Sequence, residues 1–168
     1  MNALLRALAL TAALLTSGTA LAGEAVPVNA TFGIQWEGVN WQPEYDFDDD
    51  ENTVNPVVRT TSSTGAAGLP NGKVLAIESF DSLDTVAGTI NGQAVIFFSY
   101  TDSVVLEYSG AAARDPATGT AGFQGPMTVI GGRGRFAGAT GSLTISSRIL
   151  FWPYVGRFDI KGVIKTAN

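Results

Sequence analysis

Short runs of Val, Ile, Phe, Tyr and Thr, broken by Gly, Asn, Asp and Pro, recur from Asn29 to Thr166. Branched and aromatic side chains pack well on a pleated surface, and the punctuating residues suit turns, so these runs read as strands. The pattern predicts nine of them, over 29–39, 54–61, 73–80, 84–90, 93–101, 103–109, 120–130, 142–151 and 154–165. Asn91-Gly92 predicts a two-residue hairpin turn, in which both central positions take positive φ. A tight reversal is expected at Asp102 and a longer turn over Asp115-Pro116-Ala117-Thr118-Gly119. Beyond Ala22, apolar residues nowhere keep helical spacing over three turns. The expected fold is all-β, and regular hairpins point to a barrel or sandwich.

Alternation assigns faces, because successive side chains of a strand point to opposite sides. In the last strand Phe158, Ile160, Gly162 and Ile164 share one face, and Arg157, Asp159 and Lys161 the other. Val104, Leu106 and Tyr108 likewise oppose Val105, Glu107 and Ser109. The stretch Ala94-Val95-Ile96-Phe97-Phe98-Ser99-Tyr100 is apolar on both faces, so it is expected to be covered outside as well as inside, by a loop or a second subunit.

Met1 to Ala22 departs from this pattern. One basic residue, Arg6, precedes an apolar run from Ala7 to Leu15, and Ala20-Leu21-Ala22 forms an A-x-A end. That is the layout of a secretory signal peptide, expected to be cleaved near Ala22, and the run is shorter than the roughly 20 residues a spanning helix needs. No later stretch is long enough to be a transmembrane helix. Residues 23–168 would then form a single domain of secreted or periplasmic location, with an acidic loop at about 42–53.

Composition narrows the chemistry. The chain has no Cys and no His, which removes disulfides, thiol nucleophiles, the Ser-His-Asp triad and nearly every zinc site. Charge is divided: residues 23–109 hold thirteen acids against Arg59 and Lys73, a net of −11, while residues 110–168 hold seven bases against Asp115 and Asp159, a net of +5. A net acidic chain without a dense basic cluster is not expected to bind nucleic acid. The two regions are expected to meet across a sheet or between subunits.

The most distinctive segment is Gly131-Gly132-Arg133-Gly134-Arg135-Phe136-Ala137-Gly138-Ala139-Thr140-Gly141. So many glycines weaken a regular strand and permit positive φ. No helix follows and no Lys-Ser/Thr completes a phosphate loop, so the segment reads as a connection, with Phe136 plugging one end of the core. The longer stretch from Thr128 to Thr144 resembles the signature of the allene oxide cyclase/dirigent-like β-barrels, especially their secreted bacterial members. The resemblance reaches back through Leu106-Glu107-Tyr108-Ser109-Gly110 and forward to Gly156–Ile164, covering roughly residues 85–166. It implies an eight-stranded antiparallel calycin-like barrel, often trimeric, with an apolar cavity and no cofactor. The plant cyclases of that family rearrange an unsaturated fatty-acid epoxide, and dirigent proteins orient phenoxy-radical coupling. The matching residues transmit fold rather than chemistry, so the resemblance assigns no catalytic residue.

Several side chains remain as site candidates. Glu78 shares a face with Val74, Ala76 and Phe80; pointing inward it would be a carboxylate on an apolar wall, and pointing outward it would leave Leu75 and Ile77 inside. Tyr100 and Tyr108 are candidate phenols for a cavity. Trp36 and Trp41, with Phe98 and the cluster Phe151, Trp152 and Tyr154, are candidate ligand contacts at a barrel mouth. Asp46, Asp48 and Asp50 have the alternate spacing that begins a calcium loop, but Glu51 and Val57 stand where that loop needs Gly and Glu. They leave a looser Ca²⁺ site as a candidate and a solvated acidic loop as its alternative.

The leading expectation is a secreted barrel that binds a small apolar or amphipathic ligand without catalysis. A cofactor-free isomerase or cyclase, with Glu78 or a tyrosine as proton carrier, is the first alternative. The second is a structural protein that forms a homo-oligomer, a trimer, through strand 93–101.

Overall fold

The computed structural model describes residues 23–41, 58–70, 73–84, 87–115, 117–150 and 155–168. Eight antiparallel strands follow one another as a meander and close on themselves into a barrel. They are β1 (Ala25–Trp41), β2 (Val58–Gly68), β3 (Val74–Asp84), β4 (Thr89–Phe97), β5 (Ser103–Asp115), β6 (Thr120–Arg133), β7 (Thr140–Leu150) and β8 (Val155–Lys165). One 3₁₀ turn, Gly134–Phe136, joins β6 to β7. Closure comes from β1 pairing with β8 along eleven positions, from Ala25↔Lys165 to Gln35↔Val155. No helix among the described residues is long and apolar enough to cross a membrane, a finding silent on strands.

Alternation fixes what the barrel encloses. Phe158, Ile160 and Ile164 of β8 are fully buried, as are Val104 and Leu106 of β5, with Tyr108 close behind. They meet Phe32, Ile77, Ile96, Met127 and Ile145 in one continuous core. Phe136 caps one end of that core, fully buried. The plug expected of the glycine segment is therefore present.

The sequence pattern counted one strand too many. Asn91 and Gly92 lie inside β4, paired with Ser82 and Asp81 of β3, rather than at a hairpin turn. The reversal is a few residues earlier: Asp84 Oδ1 accepts the Ala87 amide at 2.8 Å, and Gly88 takes a φ of +64°. An aspartate that binds the backbone ahead of it, followed by a glycine at positive φ, makes a turn without the Asn-Gly pair. The expected strands 84–90 and 93–101 thus correspond to the last residue of β3 and to the single strand β4. β4 stops at Phe97, and Ser99, Tyr100 and Thr101 form the next reversal, where the amides of Phe98 and Ser99 both donate to the Asp102 carbonyl. The expected turns at Asp102 and Asp115–Gly119 are in place; in the second, Asp115 accepts the Ala117 amide and the Thr118 hydroxyl, and Gly119 has a φ of +64°.

Candidate functional site

Polar side chains inside an apolar barrel need partners, so they mark where its interior departs from a packed core. The cross-strand register sets Asp81, Gly92 and Tyr108 in one row across β3, β4 and β5. Ser63, Ser79 and Ala94 occupy the row beside it. All of these except Gly92 are buried, Asp81 to 1% exposure and Tyr108 to 2%. The serine hydroxyls share a 2.6 Å hydrogen bond, and Ser79 donates onward to Asp81 Oδ2 over a longer 3.5 Å.

Gly92 explains how Asp81 and Tyr108 come together. A Cβ at that position would stand 2.5 Å from Asp81 Oδ1 and 2.7 Å from the Tyr108 hydroxyl. The missing side chain is the space those two groups occupy, a close approach that only glycine allows within a strand. The Tyr108 ring stacks on Phe123 with centroids 5.6 Å apart, and Phe123 meets Phe158 edge to face at 5.7 Å. One wall of this half of the barrel is therefore small and polar, and the facing wall aromatic. Among the described residues the Tyr108 hydroxyl finds no hydrogen-bond partner.

The sequence candidates divide among several places. Tyr108 is the one that lies in this interior cluster. Glu78 faces outward with Val74, Ala76 and Phe80, because Leu75, Ile77, Ser79 and Asp81 take the inward positions of β3. The arrangement with Leu75 and Ile77 inside is the one the chain adopts. Tyr100 stands fully exposed on the β4–β5 turn. Phe98 packs on Phe136, ring centroids 4.5 Å apart, with the Arg135 guanidinium over both rings. Trp36 and Trp41 belong to β1, paired with Ser63 and Arg59 of β2. Phe151, Trp152, Tyr154, Asp46, Asp48 and Asp50 lie outside the described residues, as do the segment to Ala22 and the acidic loop. Among the described residues no three acidic side chains gather where they could hold a metal ion.

Asp81 lies one residue beyond the strand expected over 73–80, in the part of β3 that the local pattern does not announce. The signal was nonetheless there: the alternation of Leu75 and Ile77, continued through Ser79, puts Asp81 on the inner face.

Comparison with known proteins found no matching family model, no matching curated protein and no matching solved structure.

Proposed function

We propose that the protein is an exported, calycin-like binding barrel that takes a small amphipathic ligand into the half of its interior lined by Ser63, Ser79, Asp81 and Tyr108. One observation carries this reading: a hydroxyl on a side chain only 2% exposed that has no hydrogen-bond partner. A buried tyrosine hydroxyl ordinarily finds one, and leaving it without costs about 1–3 kcal/mol. A ligand whose oxygen meets Tyr108 would relieve that cost while its apolar body lies against Phe123 and Phe158. Eight-stranded barrels have interiors that side chains fill or that hold one small ligand. The small residues Ser63, Ser79 and Gly92 lie together in this part of the wall, whereas Ile96, Val104 and Ile164 are large, fully buried members of the core. The signal-like segment and the resemblance of the Thr128–Thr144 stretch support the same reading. A cyclase would need an interior proton carrier other than Glu78, which lies on the outside.

Titration with decanol, a fatty acid and an aromatic alcohol tests the proposal. At least one should bind saturably, and Tyr108→Phe should weaken that binding by about 2- to 13-fold, the worth of one hydrogen bond. The same variant, free of ligand, should be no less stable than the natural protein, because it loses a hydroxyl that had no partner. Absence of saturable binding by all three probes would overturn the reading.

A further inference from the structure

Large exposed apolar side chains gather in separate places outside the barrel. On the outer side of β3 and β4, Val74 is 64% and Phe80 62% exposed. There Val74, Ala76, Phe97, Phe98 and Tyr100 line a groove of about 510 Å³, and Glu78 is the charged side chain among its described residues. Across the barrel, the outward positions of β8 read Lys161, Val163 and Lys165, an exposed valine between two ammonium groups. In the ring of eight strands β8 stands three places from β3 and four from β4, so one molecule cannot bring its own row onto its own groove.

Among the described residues, Glu78, Lys161 and Lys165 have no ion-pair partner within the molecule. Arg135 pairs with Asp102, and Arg157 with Asp159. Glu78, Lys161 and Lys165 belong to neither. Groove against groove would bring Glu78 towards Glu78, and row against row would set lysines together. Groove against row instead matches apolar with apolar and carboxylate with ammonium.

We propose that the groove of one copy receives the Lys161–Val163–Lys165 row of a second copy, Val163 on the apolar floor and an adjacent ammonium on Glu78. This contact is heterologous, so every added copy leaves one groove and one row open. Association then continues until a ring closes or a filament grows. The inference is independent of what the barrel interior holds.

Sedimentation velocity of the full chain at tens of micromolar tests it. The natural protein should sediment as an assembly of more than one chain. Glu78→Lys should reduce it to single chains, and so should Lys161→Glu combined with Lys165→Glu. All three substitutions together should restore the assembly, since the contact then has its charges exchanged. The positions are exposed, so far-ultraviolet circular dichroism should stay that of the natural protein. A single-chain species for the natural protein, an assembly indifferent to either set, or failure of the combined set to restore it would each overturn the proposal.

Discussion

The carboxyl of Asp102 ties two turns together. Its Oδ1 accepts the Arg135 amide at 3.2 Å, and its own amide donates to the Ser99 hydroxyl at 3.1 Å. The Arg135 hydrogen bond, aided by Ser99, the Arg135 charge and Thr101, holds this carboxyl below the usual carboxylate range despite some loss of solvent. Asp115 is lowered too, first by the Thr118 hydroxyl and then by the amides of Ala117 and Thr118. A carboxyl lowered in the folded state stabilises the fold above its unfolded pKa, about 3.9, and loses that contribution as pH falls through the lower folded value. Asp102→Asn should therefore lower the melting temperature near neutral pH. The gap to the natural protein should shrink steadily below about pH 4. Thermal melts across that range would show it, and a gap that does not change with pH would contradict the assignment. The role of Asp102 was only half legible in the chain, since a turn residue announces a reversal but not the arginine amide more than thirty residues on. The interior site was harder still. Tyr108 could be placed by alternation within its own strand, whereas its proximity to Asp81 depends on the register of three strands and a glycine between them.

Glycine does different work in different elements. In the connection from β6 to β7, Gly134 has a φ of +66°, and a Cβ there would collide with Asp102 Oδ1 and the Thr101 carbonyl. Gly131, three residues earlier, would place a Cβ no nearer than 3.9 Å to its surroundings, at a backbone angle open to any residue. Gly134→Ala should destabilise the protein by at least about 1 kcal/mol, from left-handed backbone strain alone. Gly131→Ala should stay within about 0.5 kcal/mol, the range of an uncomplicated substitution. Chemical denaturation of both variants provides the comparison; equal losses would mean that the segment is not pinned where Asp102 meets it. The same contrast explains what could be read of the strands beforehand. A glycine-rich stretch was recognisable as a connection with Phe136 as its plug, although β6 runs on through Gly131 and Gly132 before the chain turns. The Asn-Gly pair misled because its glycine answers to side chains packing over it, a demand made by neighbouring strands. β2 extends past the expected end for a related reason: Ser62–Gly68 carries little intrinsic preference for a strand and is held extended by seven pairs to β3.

At the scale of the molecule, all-β character followed from local patterns, whereas the closed ring did not. Each hairpin joins strands adjacent in sequence, but the seam between β1 and β8 joins Val26 to Ile164 and Phe32 to Phe158. No local pattern encodes that pairing; it emerges when the number, tilt and register of all eight strands agree. Such distant contacts delay folding, because the entropy of closing a long loop is lost before any contact rewards it. Refolding after rapid dilution from denaturant should therefore take milliseconds to seconds, as in other domains dominated by non-local pairs. Stopped-flow fluorescence measures this, and completion within microseconds would speak against the seam as the late event.

The same seam sets a rule for the protein's birth. β8 is the last strand to leave the ribosome, and it carries Phe158, Ile160 and Ile164 of the core. Until it emerges, β1 and β7 present unpaired edges and the nascent chain cannot complete its sheet, whatever the earlier hairpins have achieved. The barrel is a structure the chain can attain only once β8 is free to pair, so any chaperone or translocation machinery that meets it sooner meets an open sheet.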